Sequence, residues 1–157
     1  LMFVYSVQSK HIKVLSVGLF VVFTIVSLVV LSRESKQTSS DGSISLKAST
    51  HQERMAFLSQ FDWEVDEEPV EIKEIVIPAT FDETYNAYNE IQKEQGFDLT
   101  EYADIRVKQW TYTVKNYEGY ENSECIHANI LVHDGIVIGG DICSVELDGF
   151  MHGFLKP

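Results

Sequence analysis

Apolar positions change their spacing repeatedly along this chain, and each change marks an element. Residues 14–31 carry no charge, and as a helix that run would extend about 27 Å, enough for the hydrocarbon core of a bilayer. Residues 32–49 are polar, with Ile44 and Leu46 isolated among Ser, Thr, Lys, Gln, Asp and Gly, which predicts a flexible linker. Thr50 and Glu53 then have the spacing of a capping box. Behind them Met55, Leu58 and Phe61, with Phe57 alongside, predict a short helix. Residues 70–77 lie between Pro69 and Pro78 and read as a strand whose ends cannot sit in the middle of a sheet. Its last apolar residues, Ile75, Val76 and Ile77, break the alternation and predict a bulge or burial on both faces. Residues 81–95 predict the main helix: Asp82 and Glu83 suit its first turn, Gly96 its C-terminal cap, and Phe81, Tyr85, Tyr88 and Ile91 share one face. Residues 106–116 alternate, with Trp110, Tyr112 and Val114 on one face and Gln109, Thr111, Thr113 and Lys115 on the other, the pattern of a half-buried antiparallel strand.

Two β-branched runs, 126–133 and 136–145, meet at Asp134 and Gly135, the strongest local hairpin signal a sequence carries. A two-residue turn would set Ile126 against Cys143, Ala128 against Asp141 and Ile130 against Gly139. A three-residue loop, with Gly135 left-handed as a bulge, instead pairs Val132 with Ile136, Ile130 with Ile138, Ala128 with Gly140 and Ile126 with Ile142. It makes one face wholly apolar and is the expected register. The other face then pairs Cys125 with Cys143, His127 with Asp141 and Leu131 with Val137. In the tail, Phe150, Met151 and Phe154 surround two glycines, and such a segment is expected to pack back on the domain. The whole predicts an α+β domain, an antiparallel sheet in β-α-β-β-β order with one main helix packed on it, preceded by the short helix and an N-terminal transmembrane helix. Its order is cystatin-like, by analogy of topology only.

Charge places these pieces. Lys10, Lys13, Arg33, Lys36 and Lys47 outnumber Glu34 and Asp41 in residues 1–50, so the net −12 of the chain arises entirely from residues 51–157. So acidic a domain repels nucleic-acid backbones and anionic headgroups, which argues against a nucleic-acid partner. The basic start before the apolar run favours a cytoplasmic segment 1–13, a transmembrane anchor 14–31 in the lipid bilayer, a linker 32–49 and an extracytoplasmic domain 50–157 of a single-pass cell-membrane protein. A cleaved signal peptide is the competing reading.

Candidate chemistry is sparse. Cys125 and Cys143 are the only cysteines. In the expected register their Cα atoms would be about 4.5 Å apart, within reach of a disulfide, with two neighbouring reduced thiols as the alternative. His127, Asp141 and Cys143 are the residue types of a thiol nucleophile with its base and orienting acid. A flat hairpin face offers no oxyanion hole, however, and a cross-strand His–Asp pair is an ordinary sheet contact, so no catalytic residue is assigned. The acidic residues from Asp62 to Glu68 fail as a calcium loop, because Glu67 stands where glycine is required and Lys73 where the bidentate glutamate belongs. His127, His133, Asp141 and His152 lack metal-ligand spacing, and no cofactor motif is present.

Glu53 to Leu58 with Trp63 to Val65, Ile77-Pro78 and Phe81-Asp82 with Tyr85 to Asn89, Gln95 to Leu99, Gly139 to Val145, and the tail Asp148 to Phe154 together resemble a family of small proteins of clostridial Gram-positive bacteria. Its shared region is catalogued as domain of unknown function 4830. The resemblance covers roughly residues 51–154. It implies a membrane segment before the domain and supplies no activity and no functional residues. The expected function is a non-enzymatic binding module at the cell envelope, for a protein or peptide partner taken along an exposed sheet edge. An exported thiol, redox or hydrolytic enzyme using Cys143 and His127 is the rival.

Overall fold

The computed structural model describes residues 43–157, Asn122 excepted. The expected anchor 14–31 and most of the expected linker lie outside them. Helix α1 (His51–Ser59) begins at the foreseen capping box: the Thr50 hydroxyl accepts from Glu53 N–H at 3.2 Å, and the Glu53 carboxylate accepts from Thr50 N–H at 2.9 Å. Strand β1 (Glu71–Val76), helix α2 (Glu83–Glu94), a 3-10 turn (Leu99–Tyr102), β2 (Arg106–Thr113), β3 (Ile126–His133), β4 (Ile136–Ser144) and a short β5 (Met151–His152) follow. The five strands form one antiparallel sheet in the order β1-β2-β3-β4-β5, so the fold is α+β with two helices.

Both faces of the sheet are covered. On one, α1 inserts Phe57 and Leu58 among Tyr112, Val114, Ile126, Ala128, Ile130, Ile142 and Phe154. On the other, α2 brings Tyr85 and Tyr88 over Val107, Leu131 and Ile138, with Ile77 and Leu99 completing the cluster. The alternation in β2 is as expected, but its polar face is not solvated: Thr111 and Thr113 are buried. Each large aliphatic side chain fully removed from water contributes roughly 1.5–3 kcal/mol, so the two clusters rather than helix propensity hold the helices in place.

The hairpin corrects the expected register. Asp134 (φ 48°) and Gly135 (φ 77°) are both left-handed, which makes a two-residue turn of the mirror-image type whose twist matches that of the strands. It pairs His133 with Ile136 and Val132 with Val137. The register then slips, and Leu131 lies opposite Gly139, Ile130 opposite Gly140, Asn129 opposite Asp141, Ala128 opposite Ile142 and His127 opposite Cys143. Ile138 is the extra residue, a bulge. The expected pairs of Val132 with Ile136, Cys125 with Cys143 and His127 with Asp141 therefore do not form. The supposed apolar face divides: Ile126, Ile130, Val132 and Ile142 face α1, joined by Val137, while Ile138 joins the α2 cluster and Ile136 is 43 % exposed.

The outer side of β4 is closed in three ways. Residues 44–49, expected to be linker, lie along its start, where Ala48 N–H donates to Gly135 O and Val137 N–H to Leu46 O, each at 2.8 Å. Residues 44–49 thus belong to the same compact unit as the sheet. In the middle, Gly140 N–H donates to Gln92 Oε1 at 2.7 Å and Gly140 O accepts from Gln95 Nε2 at 3.1 Å. At the end, β5 pairs with Ile142 and Cys143, and the tail packs back as expected, with Phe154 fully buried edge-on to Phe57.

A Cβ at Gly140 would lie 2.1 Å from Asn129 O and 2.4 Å from Phe154, at φ +153°. Gly140→Ala is expected to cost about 3 kcal/mol through backbone strain and overpacking. Urea unfolding would show this as a lower midpoint at unchanged slope, and a shift under 1 kcal/mol would contradict the close approach of Asn129 and Phe154 at this position.

Candidate functional site

The expected site residues lie beneath α2, in a polar layer that the corrected register builds. β2, β3 and β4 place short polar side chains on the α2 side, among them Thr111, Asn129 and Asp141, all buried. Thr111 Oγ1 and Gln109 Nε2 donate to Asn129 Oδ1 at 2.7 and 3.0 Å. Asn129 Nδ2 donates to Asp141 Oδ1 at 2.9 Å and lies 3.4 Å from Cys143 Sγ. From the helix, Tyr88 O–H donates to Asp141 Oδ2 at 2.9 Å. Both carboxylate oxygens are thus engaged. Asn129, Thr111, Gln109 and the Tyr88 hydroxyl were not foreseen as one cluster. Their signal was an asparagine inside a β-branched run, level with inward-facing Thr111 and Asp141.

This layer does not assemble a nucleophile. Burial pushes the Asp141 carboxyl above its ordinary range, against the opposing effect of bonds from Asn129, Tyr88 and Cys143. Burial, and then the Asp141 charge, pushes the Cys143 thiol up to about 12. Burial and the same charge raise the Tyr88 phenol. A sulfur attacks as the thiolate, and beside Asp141 the proton stays on. His127 stands opposite Cys143 but makes no hydrogen bond with Asp141 among the described residues. Cys125 is elsewhere: its Sγ lies 3.1 Å from Ser123 Oγ and its carbonyl accepts from Val145 N–H. Both cysteines are free. Among the described residues no group of three or more His, Cys, Asp or Glu side chains is placed to hold a metal ion.

A second feature is the edge strand β1. Ile77 N–H donates to Ile105 O, and alternation from that pair turns the N–H and C=O groups of Ile72, Glu74 and Val76 away from β2. None of these outward groups has a partner among the described residues. Ile72 and Val76 are 53 % and 49 % exposed.

Two outcomes test the polar layer. A raised Asp141 pKa means that the fold favours the neutral acid, so its contribution is full at low pH and lost as pH rises through the folded value. Asp141→Asn, neutral throughout, should gain on the parent chain in thermal unfolding between pH 4 and 7. A difference independent of pH would contradict the burial of that charge. Separately, raising a thiol from 9.0 to about 12 lowers its thiolate fraction roughly a thousandfold. Iodoacetamide at pH 8 should therefore label Cys143 only as fast as the chain unfolds, which peptide mapping would show.

No curated protein and no solved structure matches the chain. A family model does match, over residues 57–142, from the buried end of α1 to Ile142 in β4. That span takes in the sheet from β1 to β4, helix α2 and every member of the polar layer except Cys143. With more than half its length inside the match, the chain belongs to the family described as Domain of unknown function (DUF4830).

Proposed function

We propose that the domain is a non-enzymatic binding module, tethered to the membrane by residues 14–31 on the outer side of the cell, which takes an extended peptide as an added strand along β1. The observation that carries this is the asymmetry of the two sheet edges. A bare edge attracts unwanted pairing and proteins normally cover it. Here the β4 edge is covered by three separate devices, whereas β1 keeps three consecutive outward positions, with apolar Ile72 and Val76 flanking Glu74. Main-chain bonds from such an edge give affinity and alternate side chains give selectivity. Self-pairing centred on Glu74 or on Lys73 sets like charges directly opposite, which repel. The thiol-enzyme rival draws no support from Cys143, whose sulfur is protonated at neutral pH.

A photo-crosslinking residue at Glu74, on the edge, and another at Asn86, exposed on α2, separate the outcomes in intact cells. A discrete adduct is expected from position 74 and none from 86. Glu74→Pro removes an outward N–H and no bond to β2, so it should abolish binding of the identified partner while costing under about 1 kcal/mol of stability. Adducts of equal yield at both positions, or binding that survives Glu74→Pro, would count against the edge.

A further inference from the structure

Arg54 is a cation that the fold has buried without a carboxylate. It is 5 % exposed. Its Nε donates to Tyr112 Oη at 2.9 Å, its Nη1 to the carbonyls of Ala48 and Ser49 at 3.0 and 3.3 Å, and its guanidinium lies 3.5 Å from the Trp110 ring centroid. Nη2 makes no hydrogen bond among the described residues. Nη2 is not one of the fully buried nitrogens lacking a partner, so it opens to the solvent of the groove it lines, while no carboxylate among the described residues pairs with the charge.

What Arg54 adjoins supplies a reason. It lines a groove of about 440 Å3 that also includes Arg106 and Lys108 of β2. Lys108 makes no ion pair among the described residues, and Arg106 reaches only Glu74, at 3.5 Å with both side chains exposed. The other acid on the rim, Asp134, sits beside His133. In a chain of net charge −12, this groove gathers three cations, Arg54, Arg106 and Lys108, against two acids, Glu74 and Asp134. The donor set narrows the ligand further. Two of the three Arg54 nitrogens are committed, which closes the two-pronged grip that a planar carboxylate prefers. The two N–H groups left on Nη2, with an ammonium and a second guanidinium from β2, suit a tetrahedral oxyanion that accepts from several directions.

We propose that this groove binds a phosphoryl group, from a small organic phosphate or an anionic phospholipid headgroup, with Arg54 at its floor and Lys108 and Arg106 at its rim. The groove shares Glu74 with the outward edge of β1, so its test uses residues of β2 rather than a change on β1. The full chain in phosphatidylcholine nanodiscs, titrated with inorganic phosphate and with glycerol phosphate at constant ionic strength, should show a saturable shift of the Trp110 indole N–H resonance. Lys108→Gln and Arg106→Gln, on exposed side chains, should each weaken it about tenfold. Because Arg54 also anchors α1, those two variants rather than one at Arg54 carry the test. In discs containing phosphatidylglycerol, a resonance already shifted before any phosphate is added assigns the headgroup as ligand, and a shift seen only with dissolved phosphates assigns the free compound. A resonance unmoved in both kinds of disc, or an affinity that neither variant changes, overturns the proposal.

Discussion

The architecture depends on fitting a two-residue left-handed turn to two strands whose apolar residues do not match it. Asp134 and Gly135 close the hairpin with the twist that strands favour, and the register so imposed would carry the apolar residues of β4 to the wrong partners. One extra residue, Ile138, restores the pattern. Beyond that bulge the β4 backbone at Gly140 turns its N–H and C=O outward, where no strand lies beside it. Helix α2 satisfies them with the amides of Gln92 and Gln95, and Gln95 Oε1 also accepts from Phe154 N–H at 2.7 Å. A single choice at the turn therefore dictates why α2 buries amides, why glycine stands at position 140 and where the tail is held.

The same shift gives α2 its lateral position. An all-aliphatic face would let the helix slide on the sheet, since apolar contact is not directional. Asn129 instead gathers donors from Thr111 and Gln109 and passes its own to Asp141, which accepts from Tyr88. Buried networks of this kind are favourable when each member is satisfied and costly otherwise. Asn89 performs a similar service at the helix end, accepting from Leu99 N–H at 2.8 Å and donating to Asp98 at 2.9 Å. Asp98 is thereby held down to about 2. Direction thus comes from polar groups, and adhesion from the aromatic and aliphatic residues around them.

Elements governed by local chemistry were legible in the sequence. The capping box at Thr50 and the alternation of Trp110, Tyr112 and Val114 each depend on residues a few positions apart, and each is found, while Asp82, expected in the first turn of α2, caps it one residue earlier. The register beyond the turn was not legible. Both candidate registers satisfied local rules, and the solution mixes them through a bulge that only packing against α1 and α2 can place. The buried roles of Asn89, Gln92 and Gln95 carried no local signal, because their partners, Leu99, Gly140 and Phe154, belong to other segments. Leu46 and Ala48 looked like linker for a related reason: two or three residues can join a sheet when the other strand is already built, however poor their own propensity.

Charge and edge design point the same way. An acidic surface keeps the domain soluble and discourages anionic partners over most of its area, yet Arg54, Arg106 and Lys108 face one groove. Sheet edges are normally protected, yet β1 is left open while β4 is closed by a segment, two side-chain amides and a short strand. Stability explains neither exception: cations converging on one groove repel one another, and an open edge invites aggregation. Both exceptions leave polar groups open beside well-satisfied alternatives in the same molecule. The polar layer under α2 lacks that character, because Asp141 and Asn129 already have their partners within the fold.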